Sequence, residues 1–323
     1  MLMKSIASSV SRWSRYLNQT HSVLVRLDGG LGNQLFQYAA GRAVALKTGR
    51  TLLLDPSPIP RRPHGRSYEL HAFAIEERFI HPLELAAFRA AESPRLPAFA
   101  RRAARWLSPR KWTLLRDPGD GFDPALFTAP GNLVLEGQWQ SSEYAREAAP
   151  QLRREFTVKS PLPRQLEPVA AAIRDSQSIA LHVRRGDYVT DPTVNTVHGV
   201  QPADYYNAAA RIIAERVASP AFFVLSEDLD WAEANLVLPG KPWFVRESAG
   251  LPPHEDHRLM AGCRHFIIAN STYSWWAAWL GADPEKIVIA PRQWFANGPA
   301  PPGLIPGEWV AIESGATTDS RSP

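Results

Sequence analysis

The sequence has almost no cysteine and no long apolar run. Cys263 is the one cysteine among 323 residues, so no disulfide can form within the chain and a disulfide-rich secreted protein is excluded. Cys263 adjoins an apolar stretch, which predicts a buried and unreactive thiol. No apolar run is long enough to span a bilayer, and residues 1–22 lack the apolar core of a signal peptide. We therefore expect a cytoplasmic protein.

A strong excess of charge of one sign is also lacking. The 36 Lys and Arg residues against 32 Asp and Glu residues leave a net charge of +4. The densest basic stretch, residues 95–116, mixes Arg with Pro, Ala and Trp, which argues against a nucleic-acid partner. A mildly basic balance suits an anionic small substrate or an acidic membrane surface. For residues 1–21 it leaves two alternatives, a disordered tail or a peripheral contact with the inner membrane.

Short apolar strands alternate with helical stretches along most of the chain. Near the start, a β-α-β unit is predicted from the strand Val23–Leu27, the turn Asp28–Asn33, the helix Gln34–Thr48 and the strand Thr51–Asp55. Such units make parallel sheets with right-handed crossovers. In the second half, five short strands alternate with four helical stretches, a pattern typical of a doubly wound sheet.

The length suits two domains of ordinary size. Pro161 and Pro163 follow a predicted helix over residues 143–156 and indicate the boundary. Residues 56–130 show little periodicity, and we expect them to form an irregular part of the first domain that lines a substrate cleft. The predicted divisions are a first domain at residues 22–157, a second domain at 158–310 and a disordered tail at 311–323.

Two arginines follow the predicted strand Ile179–Val183 directly. Ligands of such sheets bind beyond the carboxyl ends of the strands, and the guanidinium fork of Arg184 or Arg185 binds phosphate through charge-assisted hydrogen bonds. Asp187 is placed to orient one guanidinium, and strand alternation puts His182 on the same face as Arg184. The pattern predicts a phosphate site, with a surface cluster of salt bridges as the alternative.

The turn after the first strand is rich in glycine. Gly30 and Gly32 allow a ligand to approach the backbone, and the helix start that follows favours anions. Asn33 adds a side-chain amide at the same place. Leu35 breaks the dinucleotide-binding pattern, so a tight structural turn is the alternative.

A second helix start carries several hydroxyl groups. Asn270, Ser271, Thr272 and Ser274 follow an apolar strand and precede an apolar helix, which predicts a second anion site. The tryptophans at positions 275, 276 and 279 share one face of this helix and are predicted to belong to the core.

Acidic residues occur at two further places. Asp228 and Asp230 match the Asp-x-Asp pattern of metal-dependent glycosyltransferases, but a helix start with Ser226 as its N-cap is the favoured interpretation. His254 and His257 lack a third ligand of matching spacing, so we predict no metal there. Asp256, on the same helical stretch, is placed to accept from the N–H edge of a purine.

Together these segments resemble the bacterial α-1,2-fucosyltransferases of glycosyltransferase family 11. The matching stretches, in the order of the family, are Gly29–Gly41, His182–Tyr188, Ser226–Trp231, Asp256–Cys263 and Asn270–Leu280. The sequence departs from the usual family pattern at Glu227 and Ala261. The resemblance implies a GT-B-like fold of two Rossmann-like domains facing a cleft, inversion at fucose, and no metal or other cofactor.

The resemblance also implies roles for individual residues. The implied catalytic residues are Arg184, Asn33 and His182. Arg184 would bind the β-phosphate of GDP-fucose, and Asn33 would reach the same phosphate or the acceptor. Asp256 would bind guanine, His182 would line the donor pocket and Asp187 would be structural. The remaining implied donor-site residues are Gly30, Gly32, Ser226, Asn270, Ser271, Thr272 and Ser274.

The function predicted on this basis is transfer of L-fucose from GDP-fucose to the 2-hydroxyl of a terminal β-galactoside, on an O-antigen, lipopolysaccharide or related glycan. Two alternatives stay open. One is a metal-dependent transferase that uses Asp228 and Asp230 with another sugar nucleotide, and the other is a non-catalytic nucleotide-binding module. Asp28 is a candidate for the base, unless bond breaking runs ahead of attack.

Overall fold

Two parallel β-sheets lie on opposite sides of a cleft in the computed structural model. The structure describes residues 21–59, 66–108, 110–119, 121–296 and 298–314. The two sheets with their helices confirm the predicted α/β, GT-B-like fold class. The tail predicted for residues 1–21 lies outside the described ranges except for its last residue. No helix within those ranges is both long and apolar enough to cross a membrane.

The first sheet has four parallel strands in the order β2-β1-β4-β3. Alternation sends Leu24, Leu53 and Val134 to one face and their chain neighbours to the other. Both faces are covered, which explains the continuous apolar runs in these strands. The strands are β1 Ser22–Arg26, β2 Thr51–Asp55, β3 Trp112–Arg116 and β4 Asn132–Glu136.

Helices cover both faces of this sheet. Helix α1, Leu31–Thr48, packs on one face, and helix α2, Pro82–Glu92, packs on the other, with α3, Ala98–Leu107, against it. Helix α1 starts three residues before its predicted start and stops at Gly49, whose φ of 68° is left-handed. Leu46 is 50% exposed, because the last turn extends beyond the core.

The second sheet has six parallel strands in the order β12-β9-β8-β5-β6-β7. Its edge strand β12 pairs with β9 and reaches Ile312, so two residues of the predicted disordered tail belong to the sheet. A separate antiparallel pair is formed by β10, Gln293–Phe295, and β11, Gly298–Pro299. The six strands are β5 Gln177–Val183, β6 Pro220–Ser226, β7 Trp243–Phe244, β8 His265–Ile267, β9 Val288–Pro291 and β12 Val310–Ile312.

The remaining helices connect the two sheets or pack on the second. The single helix predicted over residues 143–156 is instead two helices that meet at Ala148, because Pro150 has no N–H to continue the first. Three helices between residues 167 and 198 were not predicted. The helices are α4 Ser142–Glu147, α5 Ala149–Glu155, α6 Glu167–Arg174, α7 Gly186–Thr190, α8 Pro192–His198, α9 Ala203–Ala214, α10 Leu229–Asn235, α11 Pro253–Ala261 and α12 Thr272–Leu280.

The two halves share one apolar cluster, centred where α1 meets α12. The ring of Phe36 on α1 lies 4.5 Å from that of Trp275 and 5.0 Å from that of Trp276, centroid to centroid. Both tryptophans are fully buried, which confirms that they belong to the core; Trp279 is partly buried. Cys263 is buried as predicted. The packing holds the starts of α1 and α12 against each other at the floor of the cleft.

Candidate active site

The cleft lies where the strand order of each sheet reverses. In the second sheet, β5 connects to β6 on one side while β8 connects to β9 on the other, and in the first sheet the order reverses between β1 and β4. Ligands of open α/β sheets bind outside the carboxyl ends of the strands at such points. The cavity there measures about 1530 Å³, which is more than one small ligand requires.

Arg184 follows β5 and lies at the centre of a charged cluster. Its guanidinium contacts the carboxylates of Asp187 and Glu227 and lies 5.0 Å from the centroid of the Tyr188 ring. The side chain is only 16% exposed. These contacts fix the guanidinium in one orientation at the strand end, which is the geometry that a phosphate-binding arginine needs.

A second arginine reaches this cluster from the first half of the chain. Arg66 Nη2 donates to Asp187 Oδ2 at 2.7 Å, so the carboxylate of Asp187 bridges Arg66 and Arg184 across the cleft. A Cβ atom at Gly30, the N-cap of α1, would lie 3.2 Å from Arg66 Nη1. No sequence pattern indicated Arg66, because this residue lies in the region without periodicity.

The start of α12 faces the same space. Ser271 is its N-cap and makes no capping hydrogen bond among the described residues, while Thr272 Oγ1 donates to Asn33 Oδ1 at 2.8 Å. Both residues line the cleft. The backbone N–H groups of the first turn, together with the helix dipole, therefore make an anion site beside Arg184.

Two residues predicted for that anion site have side chains held by backbone carbonyl groups. Ser274 is buried, and its hydroxyl donates to the Ser271 carbonyl at 3.2 Å. The Asn270 side-chain nitrogen donates to the carbonyls of His198 and Trp294 at 2.8 and 3.1 Å. These hydrogen bonds hold the helix start and its neighbouring loops. Asn270 lines the cleft and stays a predicted site residue, whereas Ser274 does not line it.

Gly32 has a packing role in addition to the predicted one. A Cβ atom at this position would lie 2.4 Å from the backbone of Thr272. The missing side chain therefore permits the close contact between α1 and α12, and Gly32 also lines the cleft.

His182 lines the cleft on β5 beside Tyr273, with ring centroids 5.5 Å apart. Burial, with the charge of Arg184 nearby, lowers the pKa of His182 to about 3. Its Nδ1 has no hydrogen-bond partner among the residues described. His182 is therefore neutral at physiological pH, too weak a base to carry a proton, and suited to shaping the pocket.

Asp256, in the first turn of α11, places a buried carboxyl at the cleft. Burial raises its pKa, although a hydrogen bond from Ser248 opposes that shift. Within the described ranges its Oδ1 is buried without a hydrogen-bond partner. An unpaired buried acceptor is costly, and a ligand with N–H groups would satisfy it.

The Asp228 and Asp230 side chains have separate partners. Asp228 is the N-cap of α10, accepting from the Trp231 N–H at 3.1 Å, and its other oxygen accepts from Arg185 Nε at 2.9 Å. Ser226, the predicted cap, instead accepts from the Asp228 N–H at 2.9 Å. The side chain of Asp230 is 90% exposed and pairs with Arg246 at 3.0 Å. In the described parts of the chain, no three His, Cys, Asp or Glu side chains converge as metal ligands.

The part of the cleft wall that follows β1 and β4 is neutral or acidic. Asp28 and Asn33 follow β1, and Gln138 and Gln140 follow β4. The buried amide of Gln37 joins these two loops, since it accepts from the Asp28 N–H at 2.9 Å and donates to the Gly137 carbonyl at 3.1 Å. This wall faces the arginines across the cleft.

Fold and site together define a GT-B-like protein with an anion site at the reversal point of its second sheet. The family model for glycosyl transferase family 11 matches residues 119–301. The chain is also 32% identical to the O-antigen biosynthesis glycosyltransferase WbnK of Escherichia coli, over 84% of this chain and 94% of that protein. The chain belongs to glycosyltransferase family 11, and it is a glycosyltransferase.

Two further relatives differ in the sugar that their names specify. An α-1,2-colitosyltransferase of Escherichia coli is 31% identical over 90% of this chain and 99% of that protein. Galactoside α-(1,2)-fucosyltransferase 1 of Plecturocebus brunneus is 26% identical over 89% of this chain and 74% of that protein.

Proposed function

We propose that the protein is an inverting α-1,2-fucosyltransferase that moves L-fucose from GDP-fucose to the 2-hydroxyl of a terminal β-galactoside. The observation that carries the proposal is the placement of Arg184 beside the open start of α12, at the reversal point of the second sheet. The α-1,2 linkage is named in two relatives, and an O-antigen glycan as acceptor follows from the name of a third.

Transfer breaks the bond between fucose C1 and the β-phosphate oxygen and forms a bond from C1 to the acceptor O2. Attack comes from the face opposite the leaving GDP, so the configuration inverts. Negative charge grows on the β-phosphate, where Arg184 and the N–H groups of α12 stabilise it. Such fixed donors each lower the barrier by roughly 3 kcal/mol. The acceptor proton passes to a carboxylate on the opposite wall, where Asp28 lines the cleft.

No resident metal is required in this proposal, because Arg184 and Arg66 supply positive charge where the diphosphate would lie. Binding of the phosphate would replace carboxylate contacts that now hold Arg184, those of Asp187 and Glu227. The guanidinium then exchanges one set of oxygen acceptors for another without crossing an apolar region, which keeps the cost of reorganisation low.

Guanine recognition is assigned to Asp256. Guanine presents two adjacent N–H donors, and a carboxylate can accept both. The unpaired Oδ1 of Asp256 supports this assignment. Adenine presents no such pair of donors, so the same carboxylate selects against it.

The test is GDP release by the full chain from GDP-L-fucose, across a panel of β-galactosides, with and without EDTA. NMR spectroscopy of the product identifies the glycosidic linkage. We expect galactoside-dependent release that EDTA leaves intact and that Arg184→Ala lowers by roughly 100-fold or more. Arg146→Ala, at a surface pair with Glu143, is the control.

Other outcomes would assign a different function. Loss of activity in EDTA would support the metal-dependent alternative. GDP binding without release would support a nucleotide-binding module. Release from GDP-L-colitose but not from GDP-L-fucose would overturn the donor assignment.

We also propose that helix α3 contacts an anionic membrane surface. Phe99 and Trp106 lie seven positions apart on one helix face and are 77% and 84% exposed. Arg102 lies between them on that face and Arg105 lies beside it, both exposed. Exposed aromatics flanked by arginines are typical of helices that lie in the interfacial region of a bilayer.

A further inference from the structure

We propose that residues Gly137–Gln140, together with Asp28 and Asn33, form the subsite that binds the acceptor sugar. The inference rests on the proposed function and gives it a specificity site. These residues follow β1 and β4, where the order of the first sheet reverses. Asp28, Asn33, Gln138 and Gln140 line the same cleft as Arg184. In the proposed function the donor binds where the strand order of the second sheet reverses. The corresponding place on the first sheet, across the cleft, is then available to the acceptor.

The backbone of this segment is held in an unusual conformation. Trp139 has a φ of 53° and is almost completely buried. A bulky residue with positive φ is strained, and strained residues cluster at functional sites when the surroundings hold them in place. The consequence is geometric, because burial of the Trp139 ring presents the side chains on either side of it, Gln138 and Gln140, to the cleft.

Asp117 is the residue that holds the segment. Its Oδ2 accepts from the N–H groups of Gln138 and Trp139 at 3.1 and 2.6 Å. Its Oδ1 accepts from the Gly119 N–H at 3.0 Å. A Cβ atom at Gly137 would lie 2.2 Å from the Asp117 Cβ, so only glycine permits this approach. Asp117 does not line the cleft and is therefore a positioning residue.

The side chains on this wall suit sugar hydroxyls. Gln138 Oε1 is shielded from solvent and is without a hydrogen-bond partner in the described structure. Gln140 Nε2 donates to Asn33 Oδ1 at 3.3 Å, a long contact that a ligand can replace. Amides both donate and accept, as hydroxyl groups do, whereas the arginine cluster opposite favours anions. The wall therefore matches a neutral, hydroxyl-rich ligand.

The chain of contacts also joins the subsite to the donor site. Asn33 accepts from Gln140 on one side and from Thr272, at the start of α12, on the other. An acceptor on the amide wall would thus lie next to the helix start that binds the donor phosphate. That proximity is what direct displacement requires.

The variants Gln138→Ala and Gln140→Ala test the subsite. We expect each to raise the acceptor KM about fivefold to tenfold, the effect of one neutral hydrogen bond. The donor KM and the slow hydrolysis of GDP-fucose without acceptor should stay within twofold. Gln165→Ala is the matched control, because Gln165 is exposed and donates to the Glu247 carbonyl at 2.6 Å.

Asp117→Ala should act through the backbone. We expect a larger rise in acceptor KM than for either glutamine variant, again with an unchanged donor KM. If this variant does not fold, the two glutamine variants still test the proposed acceptor subsite. An unchanged acceptor KM in both of them, or a donor KM that rises in step, would overturn the subsite.

A binding measurement separates this inference from the proposed donor. Saturation-transfer NMR with methyl β-galactoside and GDP needs no turnover. Signal that is lost in Gln138→Ala but kept in Gln165→Ala supports the subsite even if GDP-fucose is not the donor. Signal kept equally in both variants contradicts the subsite even if GDP-fucose is the donor.

Discussion

Gly32 on α1 and Thr272 on α12 approach so closely that one methyl group would not fit between them. A Cβ atom at position 32 would lie 2.4 Å from the Thr272 carbonyl carbon. The next residue, Asn33, accepts a hydrogen bond from the Thr272 hydroxyl. The two helix starts that the sequence presented as separate anion sites therefore form one junction at the floor of the cleft.

Gly32→Ala should separate this junction. We expect a loss of about 1–3 kcal/mol in the free energy of unfolding, the usual cost of overpacking, and a larger fall in kcat than in donor affinity. Urea denaturation and steady-state kinetics measure the two effects. Gly307→Ala, where a Cβ atom would meet nothing within 4 Å, is the control and should change neither quantity.

Asp256→Asn should affect stability and binding in opposite directions. Burial raises the pKa of Asp256, so its contribution to stability is present at low pH and is lost as pH rises through that raised pKa. At pH 7–8 the neutral amide should therefore give an unliganded protein at least as stable as the wild type. At pH 4 the difference in stability between the variant and the wild type should be smaller.

The same substitution should weaken GDP binding about tenfold or more, because an amide offers one acceptor where the carboxylate offers two. The affinity for inosine diphosphate, which lacks the 2-amino group, should fall less than the affinity for GDP. Calorimetric titration with both nucleotides measures this. A variant that is less stable but binds GDP normally would show that Asp256 has a structural role.

The strand ends were predictable from sequence because each buried strand is a short continuous apolar run that stops at polar residues. Arg184 follows an apolar strand, and no tertiary information is needed to put it at the sheet edge. The direction of a side chain at a helix start is different. The Asn270 side chain donates to the carbonyl groups of His198 and Trp294, which are distant in sequence, and no local pattern reports that.

Other parts of the site depend on pairing across long separations. Arg66 lies 121 positions before the carboxylate that it contacts, within a stretch that has no periodicity. The contact of Asp117 with Trp139 exists because β3 pairs in parallel with β4. Strand β3 itself was missed, since its residues are only partly buried at a sheet edge.

Lys286 should give a pH-dependent contribution to the stability of α12. Its ammonium group donates to the carbonyls of Ala278, Trp279 and Gly281 at 2.6, 3.0 and 2.8 Å. Burial lowers its pKa to about 8. A lowered pKa means that stability increases as pH rises above 8, because the unfolded lysine still binds its proton there.

Lys286→Met loses these three hydrogen bonds and should be less stable than the wild type by roughly 1–3 kcal/mol at pH 7. The gap should widen at pH 10, because only the wild type gains stability above pH 8. Denaturant titrations at the two pH values measure it, with the exposed Lys241→Met as control. A gap that narrows at pH 10 would contradict the lowered pKa.

Helix α3 should bind vesicles that contain phosphatidylglycerol more tightly than vesicles of phosphatidylcholine alone. Each arginine near an anionic surface adds about 1 kcal/mol, and added salt should reduce this part of the affinity. Phe99→Ala and Trp106→Ala should weaken binding to both vesicle types, because they remove the apolar contact. Arg102→Ala should weaken binding only where phosphatidylglycerol is present.

Val237→Ala, which removes an exposed side chain on the second half of the chain, is the control for the apolar variants and should bind as the wild type does. Co-sedimentation measures the bound fraction, and transfer to a soluble galactoside should be unchanged in all four variants. Self-association that disappears in Trp106→Ala, without any vesicle binding by the wild type, would instead assign this face to a contact between copies of the chain. The positive charge of Arg102 and Arg105 favours the membrane over self-association. This charge repels a second copy of the same surface and attracts an anionic bilayer.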